Sequence, residues 1–142
     1  MITSTGCSAC IGRTSTEMKI FLGLSALIWL PYGIFCLANP GFLAEAAGVH
    51  HSTPTGLTEL RAMYGGLQAA LGVLAAAALV REDLARTALT TLAFVTAGLG
   101  STRLLGMFID ASMSEYTAGA IVFEFACAIT ATVLLRRAPA LS

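Results

Sequence analysis

Four long apolar stretches, separated by short polar segments, set the pattern of this chain. They run from about Lys19 to Ala38, Thr58 to Val80, Thr87 to Ile109 and Tyr116 to Leu135. Each is long enough to cross a bilayer, which takes roughly 20 residues of helix. Backbone groups in lipid must be hydrogen-bonded within the protein, and the period-two alternation of a membrane barrel strand is absent. The pattern predicts an all-α integral membrane protein, built as a four-transmembrane-helix bundle.

The segments outside these spans predict less regular structure. The longest linker follows the first span, and its part from Phe42 to Val49 predicts a short helix in the membrane interface. Pro31 lies inside the first span and predicts a kink there. The polar residues 1–17 are expected to form a disordered or interfacial tail, followed by a membrane domain over residues 18–137 and a C-terminal tail over residues 138–142.

The composition supports a membrane protein and excludes a nucleic-acid binder. Hydrophobic residues make up 56% of the chain and charged residues 11%, whereas soluble domains carry about 25% charged residues. The mean hydropathy is +0.80. Eight basic residues balance eight acidic ones, so the positive field that a nucleic acid requires is absent. Membrane lipids are the expected surroundings.

The distribution of basic residues predicts the orientation of the bundle. With four spans, both termini and the loop around Arg81 share one side of the membrane. Basic residues concentrate on that side, and the two loops of the opposite side contain none: the residues are Arg13, Lys19, Arg81, Arg86, Arg136 and Arg137. Since basic residues are retained on the cytoplasmic side, both termini are expected to be cytoplasmic.

Two charged residues are predicted to pair inside the membrane. Arg103 lies roughly 9 Å from the outer end of the third span, and Glu124 lies roughly 12 Å from the outer end of the fourth, at 1.5 Å per residue. A charge at membrane depth costs about 2.5–3.5 kcal/mol on insertion scales and normally faces a partner or a cavity. The matching depths predict an ion pair between these two side chains.

Further polar residues share helix faces with this pair. Arg61, Tyr64 and Gln68 follow helical spacing in the second span, Arg103 and Asp110 are seven residues apart, and Tyr116, Ala120 and Glu124 are spaced by four. These stripes predict an outward-facing polar pocket that binds an anionic or polar head group. Its candidate ligand-binding residues are Arg61, Tyr64, Gln68, Arg103, Asp110 and Glu124. In the alternative interpretation, these side chains only lock the helices together.

The remaining chemical signals are weak. Cys7 and Cys10 form a single C-x-x-C without the second pair of ligands that a zinc site needs. His50 and His51 are adjacent in a predicted loop and make a poor chelate by themselves. We therefore expect no metal and no cofactor. Glycines in the second span and the ridge Gly98, Thr102 and Gly106 in the third predict close helix packing.

The segment Arg61-Ala62-Met63-Tyr64-Gly65-Gly66, the segment from Arg103 to Asp110, and Glu124 together resemble a known family. It comprises small four-helix bacterial membrane proteins, grouped as a domain of unknown function with an Arg-x-x-Tyr-Gly-Gly signature. The resemblance covers about residues 18–137 and implies four spans in a bacterial inner membrane, but no activity. The chain departs from the family at Ala111, where the family favours glycine in a tight turn.

Three functions remain open at this stage. The first is binding of a lipophilic small molecule, or service as an accessory subunit in a larger membrane complex or homo-oligomer. The second is an enzyme in which Glu124 or Asp110 transfers a proton to or from a lipophilic substrate, with Tyr64 as a hydrogen-bond donor. The third is a proton-coupled transporter of small solutes, although the broken helices that mark many transport sites are not evident in the sequence.

Overall fold

The computed structural model describes residues 8–137, with side chains from Thr16 onward. Described residues outside the helices form turns and short linkers. The helices are α1 (Ser8–Ala38), α2 (Phe42–Ala47), α3 (Pro54–Leu60), a π-helical segment (Arg61–Gly66), α4 (Leu67–Val80), α5 (Ala85–Ile109) and α6 (Glu115–Arg137). The π-helical segment joins α3 to α4 without a break, and a short 3₁₀ turn over Glu82–Leu84 precedes α5. The predicted all-α architecture is confirmed.

Four helices in the described range are long and apolar enough to cross a membrane: Thr16–Ala38, Pro54–Val80, Glu82–Ile109 and Glu115–Arg137. The second begins four residues before the predicted span because Thr53 caps it. The Thr53 hydroxyl oxygen accepts a hydrogen bond from the Gly56 amide at 3.1 Å, and Pro54 occupies the first turn. A capping threonine followed by proline is a favourable start for a helix. Pro31 lies within the continuous α1.

The bundle is built from two closely packed helix pairs, α1 with α4 and α5 with α6, which join through the contact of α4 with α5. Glycines allow α1 and α4 to approach closely. A Cβ on Gly33 would lie 2.3 Å from the Ala69 amide nitrogen, and one on Gly72 would lie 2.4 Å from the Leu30 amide nitrogen. No side chain fits at either position, so backbone packs against backbone. The predicted glycine packing is therefore present between these two helices.

The ridge predicted on the third span, which is α5, does not pack in the way that the glycines between α1 and α4 do. Gly98 and Thr102 are exposed, and a Cβ on Gly98 would have no neighbour within 4 Å. The prediction that this ridge packs against another helix of the bundle is wrong, because it lies on the outward face of α5. Within the described residues, the α5–α6 contact uses other positions such as Gly100, where an added Cβ would lie 3.3 Å from the Phe125 ring.

Two apolar clusters hold the bundle together. The larger contains Leu22, Leu71, Leu89, Leu92 and Leu134, together with several alanines from α4, α5 and α6. The smaller contains Cys36, Leu43 and Leu60 and fixes α2 against the bundle. The short helix predicted after the first span is thus present. It ends at Gly48, which has a φ of 67° and donates its amide to the Leu43 carbonyl, as is typical of a glycine C-cap.

Ion pairs join the helix ends on one side of the bundle. Lys19 Nζ lies 3.0 Å from Glu82 Oε1, and Arg137 Nη1 lies 3.4 Å from Glu17 Oε2. The membrane-proximal part of α1, the turn before α5 and the end of α6 therefore lie at one end, which we call the basic end. Residues 1–7 and 138–142 lie outside the described range, and the interpretation of residues 1–17 as a tail stays a prediction.

Candidate functional site

A cavity of about 410 Å³ lies between the helices, in the half of the bundle remote from the basic end. All four spans contribute to its wall. Aromatic and small apolar side chains line it together with a few polar ones: Ile28, Trp29, Tyr32, Gln68, Arg103, Glu115, Tyr116, Gly119, Ala120, Phe123 and Glu124. It lies directly beside the larger apolar cluster, because Trp29 belongs to both. A mostly apolar cavity with a few converging polar groups is typical of small-molecule sites.

The predicted ion pair between Arg103 and Glu124 forms part of the cavity wall. Arg103 Nε donates to Glu124 Oε1 at 3.0 Å, and the two side chains are 22% and 4% exposed. The pair joins α5 to α6, where Gly100 also packs against Glu124. The prediction from matching depths is therefore confirmed as a contact. Its geometry is that of a charged hydrogen bond largely shielded from solvent.

Two tyrosines, Tyr116 and Tyr32, lie next to the ion pair. The Arg103 guanidinium carbon lies 5.8 Å from the centre of the Tyr116 ring, within the range of a cation–π contact. The Tyr116 and Tyr32 hydroxyl oxygens are 3.2 Å apart and share a hydrogen bond. Arg103 is thus held by a carboxylate on one side and a ring on the other, while Tyr32 connects α1 to α6.

Two buried polar atoms, both of residues that line the cavity, have no hydrogen-bond partner within the described part of the chain. Trp29 Nε1 and Glu124 Oε2 are unsatisfied, and their residues are 4% and 3% exposed. Gln68 also lines the cavity and is 8% exposed. An unsatisfied buried polar group costs about 1–3 kcal/mol. Such a group in a native protein calls for an explanation, and a bound molecule supplies one.

Arg61 and Tyr64 belong to the π-helical segment and do not line this cavity. Of the six predicted site residues, Gln68, Arg103 and Glu124 line the cavity, whereas Arg61, Tyr64 and Asp110 do not. The predicted stripe assumed 3.6 residues per turn, but the segment Arg61–Gly66 is π-helical. Its i→i+5 hydrogen bonds put more residues in each turn, so the face that carries Gln68 does not continue through Tyr64 and Arg61.

The three residues outside the cavity have other surroundings. Arg61 Nε donates to the Leu37 carbonyl oxygen at 3.2 Å, which is one of the last carbonyls of α1 and lacks a partner within that helix. Tyr64 packs against the smaller apolar cluster. Asp110 is exposed at the end of α5. A role of these residues in ligand binding stays a prediction.

Sequence reasoning missed the contribution of α1 to the cavity. Trp29 and Tyr32 are three residues apart and point to the same side of α1, but the predicted polar stripes started from charged residues, and α1 has none at that depth. The sequence did contain a signal for this contribution. Trp29 and Tyr32 each have an apolar body and a polar tip, and they lie at i, i+3 on a mostly apolar helix.

The candidate metal ligands do not form a cluster. Within the described range, no group of three or more His, Cys, Asp or Glu side chains is close enough to hold a metal ion. The side chains of Cys7 and Cys10 lie outside that range. Cys36 and Cys127 are both buried and free, and Cys36 belongs to the smaller apolar cluster.

Comparison with known proteins identifies the family and no activity. Neither a curated protein nor a solved structure matches the chain significantly. The model of a family described as a domain of unknown function, DUF4345, matches residues 18–135. This range begins near the start of the membrane-spanning part of α1 and ends in the last turn of α6, so it contains all the residues that line the cavity. The chain therefore belongs to the DUF4345 family.

Proposed function

We propose that this protein binds an amphiphilic molecule in the cavity between its four spans. The observation that carries the proposal is that two residues lining a ligand-sized space, Trp29 and Glu124, each keep one buried polar atom, Nε1 and Oε2, without a hydrogen-bond partner in the described chain. Small-molecule sites typically measure about 300–1,000 Å³, so the cavity of about 410 Å³ is large enough. The polar end of the ligand would lie beside Gln68 and the ion pair.

The proposed location is a bacterial inner membrane, with both termini cytoplasmic and the cavity in the periplasmic half. The ion pairs of Lys19 and Arg137 gather basic residues at one end, and the positive-inside rule favours that end for the cytoplasm. Glu115 and Tyr116 begin α6 at the other end and line the cavity. A molecule in the outer leaflet or the periplasm would then enter beside these two residues.

The other candidate functions have less support. An accessory subunit or homo-oligomer would use the outward ridge around Gly98, but such a ridge is equally compatible with lipid. An enzyme would use Glu124, which lines the cavity but already bonds Arg103, whereas Asp110 is exposed outside the cavity. A transporter would need a polar path to the basic end. Leucines and alanines of the larger cluster fill that half instead.

The test is native mass spectrometry of the protein extracted gently from its own membranes. Gly119 lines the cavity, and a Cβ there would have no neighbour within 4 Å. Gly119→Leu therefore adds volume to the cavity without a backbone clash. Gly98→Leu is the matched control, since its Cβ is equally free and lies outside the cavity. Wild-type protein and Gly98→Leu should retain a small molecule that Gly119→Leu loses.

Two outcomes contradict this proposal. If no molecule is retained by any of the three proteins, even with direct extraction and mass analysis of their bound lipids, the cavity is not a binding site. If all three retain the same lipids in equal amounts, those lipids cover the outer surface. A large assembly without a retained small molecule would favour the accessory-subunit alternative.

A further inference from the structure

We infer that the head group held in this cavity is uncharged and both donates and accepts hydrogen bonds, as a hydroxyl or an amide does. The inference rests on the proposed function and names the class of its ligand. It differs from the sequence-based expectation, in which two arginines anchored an anionic or polar head group. Its evidence is the set of charges and unsatisfied groups on the cavity wall.

The charges of the wall disfavour an anion. Arg103 is the cation of the cavity wall within the described residues, and its guanidinium already bonds Glu124. Glu115 adds a second carboxylate at the rim, so the wall carries two carboxylates and one guanidinium. Arg61 is not a second anchor because it does not line the cavity, and its Nε bonds the Leu37 carbonyl. A phosphate or carboxylate head group would meet one engaged cation and two like charges, which are unfavourable at close range.

The unsatisfied groups of the wall favour a ligand with both donor and acceptor atoms. The Trp29 indole N–H only donates, and Glu124 Oε2 as a carboxylate oxygen only accepts. The Gln68 amide also lines the cavity and offers both functions. A hydroxyl or amide satisfies both types of group, whereas a carboxylate or sulfate group has no donor for Glu124 and an ammonium group has no acceptor for the Trp29 N–H.

The apolar part of the wall indicates that the ligand also has an apolar portion. Ile28 and Phe123 supply apolar surface, while Gly119 and Ala120 leave space beside α6. Phe123 is fixed against the Trp29 ring, with ring centres 5.6 Å apart. These side chains would pack along an alkyl chain or an apolar ring attached to the polar head. The ligand class is therefore a lipid alcohol or lipid amide rather than an anionic lipid or fatty acid.

Trp29 provides the readout for the test, because it is the single tryptophan of the chain and lines the cavity. The protein is placed in phosphatidylcholine nanodiscs and titrated with two probes that share a dodecyl chain brominated at the same position. One probe is the alcohol and the other is its sulfate ester. Bromine quenches tryptophan fluorescence at short range. The alcohol is expected to half-saturate the quenching at about a tenfold lower mole fraction than the sulfate.

Four variants make the result specific. Gly119→Leu should abolish saturable quenching by the alcohol, and Gly98→Leu should preserve it. Glu115→Gln removes the rim carboxylate of an exposed residue, so it should fold normally and narrow the preference for the alcohol to a few-fold. Glu59→Gln is its matched control, because Glu59 is also exposed but lies outside the cavity. It should leave the preference unchanged.

The possible failures are distinguishable. If the sulfate quenches as well as or better than the alcohol, and Gly119→Leu abolishes this quenching, the inferred head group is wrong while the proposed binding function stands. If both probes quench the wild type and Gly119→Leu alike, they reach Trp29 from the bilayer. That result contradicts both the proposed function and the inferred head group.

Discussion

Arg103 and Glu124 show how single residues of this protein depend on their partners. Either charge alone would be expensive at membrane depth, but the hydrogen bond between them at 3.0 Å offsets much of that cost. The contact also leaves Glu124 Oε2 without a partner beside the cavity. The same pair therefore serves two purposes in our account. It connects α5 to α6, and it presents one carboxylate oxygen to a ligand.

Removing one member of this pair should destabilise the bundle. Glu124→Ala leaves the Arg103 guanidinium without its carboxylate, and breaking a buried pair costs about 3–5 kcal/mol. Because Arg103 is 22% exposed, we expect the free energy of unfolding to fall by about 3 kcal/mol, the lower end of this range. Denaturant unfolding in mixed micelles measures the change. Glu115→Ala, at an exposed position, should change stability by less than about 0.5 kcal/mol. The double variant Arg103→Met, Glu124→Leu should lose less stability than the sum of its two single variants. If the losses are additive, the two residues are not coupled.

Ala111 is a residue whose backbone conformation is unfavourable. It has a φ of 46° in the turn after α5, in the left-handed region, which costs an L-residue roughly 1–2 kcal/mol. Glycine adopts this conformation without strain but gains entropy when unfolded. Ala111→Gly should therefore stabilise the protein by about 0.5–1 kcal/mol, seen as a higher thermal unfolding temperature.

The control for this change is Ala126→Gly. Ala126 is exposed within α6, where glycine has no conformational advantage and lowers helix stability by about 0.5–1 kcal/mol. Equal destabilisation by both substitutions would show that the turn at Ala111 is not strained.

At the scale of helices, glycines set the distance between α1 and the continuous helix that contains α4. Gly33, Gly65 and Gly72 all lie where a Cβ would come within 3 Å of the opposite helix. This close approach brings Trp29 and Tyr32 of α1 beside Gln68 of α4 at the cavity wall. Changes in this contact should therefore reach the cavity as well as the stability of the pair.

Gly72→Ala tests this contact. Its Cβ would lie 2.4 Å from the Leu30 amide nitrogen, which belongs to the backbone of α1 and cannot rotate away. The helices must separate, and overpacking of this kind costs about 1–3 kcal/mol. Gly98→Ala, with an open Cβ position, should be neutral or slightly stabilising. Thermal unfolding of both variants in detergent checks the difference, and equal effects would contradict the close contact.

The helices also show what the sequence could and could not predict. Hydropathy and length predicted four spans, because apolar composition alone decides which helices suit a bilayer. Matching depths predicted the contact of Arg103 with Glu124. Of the stripe through Arg61, Tyr64 and Gln68, only Gln68 lines the cavity, and no sequence signal marked the π-helical segment that contains the other two. Trp29 was missed because its importance depends on which helix packs beside α6, and packing partners are not encoded in helical periodicity.

For the whole molecule, the main prediction concerns orientation in the membrane. The linker between α2 and α3, which contains Ser52, belongs to the end opposite Lys19 and Arg137 in the proposed topology. In intact cells with a permeable outer membrane, Ser52→Cys should react with an impermeant maleimide. Cys7 and Cys10 near the N-terminus should react only after lysis. Cys36 and Cys127 are buried and should stay unreactive. The opposite labelling pattern would contradict cytoplasmic termini.

An experimental structure of the gently extracted protein would show whether the cavity holds an amphiphilic molecule. We predict elongated non-protein density between α1 and α6, with its polar end within hydrogen-bond distance of Gln68 or the Trp29 indole nitrogen. Its apolar part should lie along Phe123 and Gly119. A cavity that holds only water, or one closed by side chains that bond Trp29 Nε1 and Glu124 Oε2 themselves, would contradict the proposed function.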